Sequence, residues 1–253
     1  MIFQRPPFTI HHFAKLGSTN DLLKEMSDAP EFTCIVADEQ TAGRGRRDRS
    51  WHSSPGEGLY LSILLRPSNS TAKIPLLSLM SAVAVAETLM NCGATGVDIK
   101  WPNDVLVNER KLCGILVEGV SARENRMRII VGIGVNLNHQ SFPDELNRIA
   151  TSWRIETGTP TSVDEFRDQL LSRLAHWYEC WKRDEADLIL DRWQRLSSYG
   201  RGQQVTVTLD QELVSGETAG LNEDGALLLR TNDGRVRTIL AGDVTKVRRH
   251  DVN

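Results

Sequence analysis

Four arginines crowd into the nine residues from Gly43 to Trp51, and this composition is typical of an anion-binding loop. The segment holds one aspartate, so its local charge is +3 although the whole chain carries −3. Guanidinium groups bind phosphate or carboxylate oxygens in pairs, and the two glycines let the backbone approach a ligand closely. We therefore expect an anion site, with a solvated basic loop or a nucleic-acid tether as the alternative.

A second candidate site is the run KWPND, Lys100 to Asp104. Pro102 disfavours helix and imposes a bend. Asn103 and Asp104 are therefore expected to project from the end of a strand, where ligand contacts are common. The Asp104 carboxylate could hold a magnesium ion through its oxygens, whereas an ordinary Asn-Asp turn is the alternative that the run alone favours.

Two further segments combine glycine with strand-like sequence. Lys111 precedes an apolar run in which Gly114 is expected to leave room for a ligand, and Gly132 and Gly134 predict close backbone approach in another run. The second run has no third glycine at the dinucleotide position, and the sequence has neither GxSxG nor HExxH. Positive charge and glycine without an evident nucleophile suit a reaction in which two bound substrates react with each other.

Hydrophobic patterning predicts the elements that must position these segments. A helix is expected from about Asp21, capped by Ser18 or Thr19, and an apolar helix from Pro75 that ends near Gly93. Ser162 and Glu165 form a capping box before a third helix. The predicted strands are Thr9–Lys15, Cys34–Ala37, Gly58–Leu65, Val97–Lys100, Leu112–Glu118 and Ile129–Leu137.

Beyond residue 198 the pattern changes to short alternating strands with hairpin signals at Asp224-Gly225 and Asp233-Gly234. Such a segment predicts a small β-barrel or sandwich. A length of 253 residues suits one large domain with or without a small one. We therefore place the first domain at residues 1–197 and the second at 198–253.

Composition bears on the compartment and on the class of partner. A net charge of −3 argues against a surface that grips nucleic acid or an anionic membrane as a whole. The start of the chain lacks the apolar core of a signal peptide, and the stretch Ile74–Met90 is expected to be too short and too polar to span a bilayer. Four widely spaced cysteines favour free thiols, so we expect a cytoplasmic protein: Cys34, Cys92, Cys113 and Cys180.

Taken in order, these segments resemble the biotin–protein ligase family over nearly the whole chain. Five motifs carry the resemblance, in the order and spacing of the family: Ser18–Asn20, Gly43–Arg47, Lys100–Asp104, Lys111–Glu118 and Gly132–Asn136. The resemblance implies an α+β fold, with a mixed sheet and flanking helices like those of class II aminoacyl-tRNA synthetases and of biotin–lipoate ligase catalytic domains. A small C-terminal SH3-like β-barrel is implied as well.

The resemblance also implies a reaction. Biotin and ATP, with Mg²⁺, would give biotinyl-5′-AMP, and one lysine of a biotin carboxyl carrier protein would then take the biotinyl group. The implied partner is the carrier of acetyl-CoA carboxylase or of a related carboxylase, and the implied assembly is a monomer or a homodimer. Longer relatives begin with a DNA-binding domain, whereas about 17 residues precede Ser18, so we expect no binding to DNA.

The resemblance assigns roles residue by residue. The implied catalytic groups are Lys111, Arg44 and Arg46. The implied biotin-binding residues are Ser18, Thr19, Asn20, Gln40, Gly43, Arg44, Gly45, Arg46, Lys111 and Gly114. The implied nucleotide-binding residues are Arg47, Arg49, Trp51, Asn103, Asp104 and Asn136, with Asp104 also a metal contact.

Two departures from the family pattern and two alternative functions remain. Asp48 stands where many relatives have a glycine or another small residue, and Cys113 stands where alanine is commoner. The alternative enzyme is a lipoate or octanoate ligase or transferase of the same superfamily. The alternative outside enzymes is a non-catalytic module that binds nucleic acid through the arginine-rich segment, which the charge of −3 and the lack of interleaved aromatic residues disfavour.

Overall fold

The computed structural model describes residues 1–67, 73–120, 127–209 and 212–246, and thirteen strands and five helices lie within these ranges. The last seven residues of the predicted second domain lie outside them. The helices are α1 Thr19–Glu25, α2 Ile74–Asn91, α3 Trp153–Thr157, α4 Val163–Lys182 and α5 Ala186–Leu196. The strands are β1 Ile2–Arg5, β2 Phe8–Leu16, β3 Thr33–Gln40, β4 Gly58–Leu65, β5 Val97–Lys100, β6 Asp104–Val107, β7 Arg110–Val120, β8 Arg128–Asn136, β9 Arg201–Thr208, β10 Leu213–Leu221, β11 Leu227–Thr231, β12 Val236–Ile239 and β13 Asp243–Lys246.

Eight strands form the larger sheet in the order β1-β2-β3-β4-β8-β7-β6-β5. The pair β2 and β3 is parallel and the other pairs are antiparallel, so the predicted mixed sheet is confirmed. All eight residues of β4 are buried, because this central strand has apolar neighbours on both of its faces. Leu23 of α1 packs on one face with Ile35, while the helices α2, α4 and α5 contribute to the main core on the other face.

Helix α2 is a buried helix of the main core. It begins with Pro75 in its first turn, as predicted, because proline has no N–H to leave unpaired there. By length and by its mean hydropathy of 1.5 it is apolar enough to cross a membrane, so the prediction of a stretch too short and too polar is wrong. Since 67% of this segment is buried inside the protein, where it packs on α4 and α5, it serves here as a core helix.

The predicted N-caps of two helices are confirmed. The Ser18 Oγ accepts from the Asp21 N–H at 3.4 Å, and the Ser162 Oγ accepts from the Glu165 N–H at 3.2 Å. Each hydroxyl satisfies an N–H of the first turn that has no partner within the helix. The sequence reading missed β1, β6 and α3, which are only four or five residues long and therefore lack a full hydrophobic repeat.

Five antiparallel strands form the second sheet in the order β12-β11-β10-β9-β13. The predicted hairpin residues Gly225 and Gly234 both adopt positive φ angles, of 81° and 82°, which glycine adopts without strain. This sheet agrees with the small SH3-like barrel that the family resemblance implies. The indole N–H of Trp101 donates to the Gly225 carbonyl at 3.0 Å and so joins the second sheet to the KWPND run of the first.

Candidate active site

The arginine-rich segment from Gly43 to Trp51 forms a compact loop between β3 and β4. Hydrogen bonds from the Gly45 N–H to the Arg49 carbonyl (2.7 Å) and from the Trp51 N–H to the Gly43 carbonyl (2.8 Å) close it. Asp48 lies at its tip with a φ of 57°, a left-handed conformation that glycine takes without strain and aspartate tolerates better than most residues. The backbone at this position would therefore accept glycine without strain.

The Trp51 ring lies on a floor made by two paired glycines. Gly114 of β7 and Gly134 of β8 are partners in register. A Cβ added to Gly114 would lie 2.8 Å from Cζ3 of Trp51, and one added to Gly134 would lie 2.5 Å from Cε2. Lys111 Nζ stands 5.4 Å from the ring centroid. The space predicted for a ligand beside Gly114 is therefore filled, in this structure, by the Trp51 ring and the Lys111 side chain.

Lys111 and Asp104 form the ionic centre of the site. The Lys111 ammonium lies 2.7 Å from the Asp104 carboxylate, whose side chain is 18% exposed. The backbone of Lys111 is fixed by the segment 149–151, since its N–H donates to the Ile149 carbonyl and its carbonyl accepts from the Thr151 N–H. The two groups that the sequence placed on separate motifs are thus in direct contact.

A neutral polar cluster lies beside the start of α1. Thr19 donates to Oε1 of Gln40 from its backbone N–H (2.8 Å) and from its hydroxyl (3.0 Å). Ser62 of β4 donates to both the Thr19 hydroxyl and the Asn20 amide oxygen, although the sequence reading did not single it out. Ser18, Thr19 and Asn20 are all buried, so the predicted residues come together in one enclosed polar site.

Arg44 is paired with acidic side chains of the protein. Its guanidinium pairs with the carboxylates of Asp21 (2.7 Å) and Glu118 (2.8 Å). Arg44 is therefore held by two carboxylates of the protein in this structure, and its role at the biotin carboxylate and the α-phosphate stays a prediction. Neither acid was predicted as a site residue, because an aspartate in a first helical turn and a glutamate late in a strand are ordinary in sequence.

The other arginines face the junction of the two sheets. Arg46 donates to the Asn103 amide oxygen at 3.1 Å, while Arg49 and Arg47 lie 2.5 and 3.6 Å from Asp243 of β13. Arg47 and Arg49 border a cavity of about 260 Å³. Its lining comprises Arg47, Arg49, Lys100, Trp101, Pro102, Asn103, Asp104, Thr208, Asp243, Val244 and Thr245.

Lys100 belongs to the KWPND run, and the sequence predicted no role for it. In the structure its side chain lines this cavity. Burial lowers the pKa of Lys100, and the nearby Asp104 carboxylate partly opposes that effect. The surplus of basic over acidic side chains in the lining suits a polyanion such as a triphosphate.

Asn136, predicted to face a nucleotide, uses its side chain on the protein instead. It is 4% exposed at the end of β8, and its amide donates to the Thr151 carbonyl at 3.0 Å. Since Thr151 also bonds to the Lys111 backbone, Asn136 supports the segment that positions Lys111.

The metal prediction fits poorly. Among the described ranges, no group of three or more His, Cys, Asp or Glu side chains could hold a metal ion. Asp104 is the carboxylate predicted to bind Mg²⁺, yet its Oδ1 is paired with the Lys111 ammonium. Magnesium usually takes one or two protein carboxylates and completes its shell with water and phosphate oxygens. The residues present therefore do not form a resident metal site.

A buried histidine, His139, lies beside Phe142 and Tyr60. His139 is 0% exposed, stacks on Phe142 with ring centroids 5.0 Å apart, and has its Nε2 3.3 Å from the Tyr60 hydroxyl. Burial, together with like-charge repulsion from His52, lowers the pKa of His139 to about 4. His139 is therefore neutral near pH 7 and contributes no charge to the site.

Comparison with known proteins matches both sheets of the molecule. Residues 13–136 match the model of the biotin/lipoate A/B protein ligase family, and residues 201–247 match that of the biotin protein ligase C-terminal domain. The bifunctional ligase/repressor BirA of Bacillus subtilis is 38% identical over 234 residues, which is 90% of this chain and 71% of that protein. The biotin–[acetyl-CoA-carboxylase] ligase of Paracoccus denitrificans is 33% identical over 88% of this chain and 94% of its own length.

Solved structures agree with the sequence matches. The biotin protein ligase of Aquifex aeolicus, in complex with biotin and ATP, has a TM-score of 0.83 and 31% identity, with 94% of this chain and 98% of that chain covered. The match therefore covers both sheets and the motifs that carried the resemblance, including Gly43–Arg47, Lys111–Glu118 and Gly132–Asn136. The chain belongs to the biotin protein ligase family.

Proposed function

We propose that this protein is a biotin–protein ligase that activates biotin with ATP and transfers the biotinyl group to a lysine of a carrier protein. The observation that carries the proposal is the position of the neutral polar cluster and the Lys111–Asp104 pair along one stretch of β7 and β8. The first can bind an uncharged ureido ring, and the second can bind a carboxylate and a phosphate.

The polar cluster suits the head of biotin. A ureido ring presents two N–H donors and one carbonyl acceptor, and a site that buries it must satisfy all three. Thr19, Asn20 and Gln40 offer hydroxyl and amide groups of both kinds, and Ser62 holds Thr19 and Asn20 in place. We expect biotin to exchange some of these internal hydrogen bonds for its own.

The first chemical step joins two anions. A carboxylate oxygen of biotin attacks the α-phosphorus of ATP, the bond from that phosphorus to the β-phosphate oxygen breaks, and pyrophosphate leaves with the electron pair. The Lys111 ammonium and the Arg46 guanidinium are placed to reduce the repulsion and to stabilise charge on the α-phosphate. The cavity at the junction of the sheets offers room for the departing phosphates beside Arg47, Arg49 and Lys100.

The second step needs an intact adenylate. A lysine amine of the carrier attacks the acyl carbon, AMP leaves with the electron pair of the acyl–oxygen bond, and the amine loses a proton. Water would destroy the intermediate by the same attack, so the site must exclude it. The loop from Gly43 to Trp51 lies over β7 and β8, and Trp51 offers a flat ring for an adenine base.

Magnesium would bind together with ATP, through the phosphate oxygens. Asp104 and Asp243 are the two carboxylates that line the cavity, and Asp104 is paired with Lys111. The residues named above carry the binding and orientation of both substrates without a resident metal.

The carrier and the compartment are inferred. Carrier domains of acetyl-CoA carboxylase or of a related carboxylase are the proposed substrates, because relatives bear the name biotin–[acetyl-CoA-carboxylase] ligase. A cytoplasmic location is supported by four cysteines that are all free, as is usual in a reducing compartment.

The transfer is tested by mixing the protein with a biotin carboxyl carrier domain, ATP and biotin. Mass spectrometry of the intact carrier is expected to show one added biotinyl group, and peptide mapping is expected to place it on one lysine. A parallel reaction with lipoate distinguishes the alternative enzyme. Modification by lipoate and not by biotin would contradict the proposal, and so would no modification by either acid.

A further inference from the structure

Glu118, near the end of β7, gathers three donors from separate parts of the chain. Its carboxylate accepts from the Asn20 amide at 2.7 Å, from the Lys24 ammonium at 2.8 Å and from the Arg44 guanidinium at 2.8 and 3.1 Å. Asp21 adds a second carboxylate to Arg44 at 2.7 Å. We name these five residues the Glu118 cluster.

Glu118 is charged in spite of its partial burial. Its side chain is 21% exposed, and burial disfavours the carboxylate form. Hydrogen bonds from Lys24, Asn20 and Arg44 outweigh burial and hold the pKa of Glu118 below its usual range. Charge-assisted hydrogen bonds of this kind are about twice as strong as neutral ones.

The cluster joins the two halves of the proposed biotin site. Glu118 fixes the NH₂ end of the Asn20 amide, and Ser62 fixes its oxygen end, so the orientation of Asn20 is fully determined. On the other side Glu118 holds Arg44, which pairs across the loop with Ser50 in an isolated β-bridge. One carboxylate therefore fixes the position of two side chains: Asn20, in the proposed site for the biotin head, and Arg44, the first arginine of the loop.

We propose that Glu118 is a positioning residue which couples binding of the biotin head to closure of the loop, with Arg44 acting as the anchor of the loop and not as a catalytic group. This inference rests on the proposed function. Arg46 and Trp51 then depend on the anchor, because they lie on the same hydrogen-bonded loop. When the anchor is lost, Arg46 and Trp51 lose their fixed position while Lys111 keeps its own.

The test is Glu118→Gln, which keeps an acceptor for Asn20 but removes the charge that pairs with Arg44. Loss of a charge-assisted bond predicts a biotin Kd raised about tenfold or more and a similar increase in the rate of adenylate release. The rate of transfer to carrier from a saturated enzyme should change about twofold at most. Glu87→Gln is the matched control, because Glu87 is also a mostly buried carboxylate, 13% exposed against 21% for Glu118, and it pairs with Arg173 and Arg192 away from the loop. We expect wild-type values for it.

Two further measurements separate positioning from general damage. Hydrogen exchange of the amides of residues 44–50 should quicken in Glu118→Gln without any ligand, while the amides of β4 and β8 keep their protection. Arg44→Met should reproduce the rise in Kd, and the double variant should be no worse than either single one. Arg44→Met also serves if Glu118→Gln fails to fold.

The results that would overturn the positioning role differ from those that would contradict the proposed ligase function. Equal biotin Kd, adenylate release and loop exchange in Glu118→Gln and Glu87→Gln would overturn the positioning role, even with a fully active wild-type ligase. Additive effects of the two single variants would overturn the coupling through Arg44. A wild-type protein without biotin-dependent activity would contradict the proposed function, and loop exchange would still report on the anchor.

Discussion

Lys111 is the side chain on which the proposed chemistry depends most. It is the ammonium closest to Asp104, and its backbone is fixed from two sides by Ile149 and Thr151. Once it leaves Asp104, an ammonium in that position can reduce the repulsion between the biotin carboxylate and the α-phosphate.

We expect Lys111→Ala to lower adenylate formation by about a hundredfold or more, the usual effect of losing electrostatic stabilisation of a transition state. Its melting temperature should stay close to that of the wild type, since a partly exposed ion pair contributes about 1 kcal/mol or less. Lys182→Ala is the matched control, because that lysine is 35% exposed against 34% for Lys111 and also forms one ion pair. Equal rates in the two variants would remove Lys111 from the mechanism.

His139 gives the fold a pH dependence with a defined sign. The unfolded chain takes up a proton near pH 6.5, whereas the folded protein resists it until about pH 4. The unfolded state therefore binds more protons between these values, and stability falls as the pH drops through that window, by about 3 kcal/mol at most. The ionisable groups that face His139 are His52 and Glu57, and the Tyr60 hydroxyl beside its Nε2 is neutral.

Denaturant unfolding of the wild type and of His139→Gln between pH 4 and pH 7 tests this. The free energy of unfolding should fall less steeply with decreasing pH in the variant, and the difference between the two slopes isolates His139 from the other groups. Parallel slopes would show that His139 is not the group responsible.

At the scale of single residues, sequence predicts the groups whose types are unusual together. The arginines, Lys111 and the KWPND run stood out because positive charge, glycine and proline are concentrated there. Glu118, Ser62 and Asp243 were missed, because each is an ordinary residue of a strand whose role comes from neighbours about 40 to 190 residues away in sequence.

Among the elements, β7 and β8 do most to shape the site, because their glycines let other side chains lie flat on the sheet. Gly114 and Gly134 accommodate Trp51, and Gly132 accommodates Asn20. The predicted close approach to β8 is thus confirmed, with the approaching groups being side chains of this chain.

Gly132→Ala is expected to raise the biotin Kd about tenfold or more, because the new Cβ would lie 2.3 Å from Oδ1 of Asn20 and force that side chain to move. Binding of ATP should change little. Gly119→Ala on β7 is the control, since nothing lies within 4 Å of its added Cβ. Titration calorimetry measures both ligands, and an unchanged biotin Kd in Gly132→Ala would contradict the assignment of Asn20 to the biotin head.

The long elements were all predictable, whereas of the four-residue strands of the first sheet only β5 was predicted. The core helix at Ile74–Asn91 and the helix at Val163–Lys182 have sustained apolar runs or repeats with a proline or a capping box at the start. Strand β6 was read as a turn, because its first residue belongs to the KWPND bend and its four residues are too few to show a pattern. The pairing order of the strands depends on contacts distant in sequence, so patterning alone could not give it.

For the whole molecule, the junction between the two sheets matters most. Asp243 of the second sheet pairs with Arg47 and Arg49 of the loop, and the Trp101 bond to Gly225 also joins the two sheets. The boundary placed at residues 197 and 198 remains a prediction. The second sheet nevertheless contributes a wall to the proposed phosphate cavity, so its role extends beyond stability.

Asp243→Asn is expected to lower the KM for ATP by a few fold, because the carboxylate competes with phosphate oxygens for the two arginines. The gain should shrink at high salt, which screens partly exposed charges. Asp233→Asn, at a distant turn of the same sheet, should leave the KM unchanged. A raised KM in Asp243→Asn would instead show that Asp243 positions the arginines for ATP.

The central claim, that biotin and ATP react with each other in this site, is tested most directly by biotin-dependent exchange of labelled pyrophosphate into ATP. The exchange reports formation and reversal of the adenylate without any carrier protein. The account predicts exchange that requires biotin, is not supported by lipoate and is lost in Lys111→Ala. Exchange with lipoate in place of biotin, or no exchange with either acid, would contradict it.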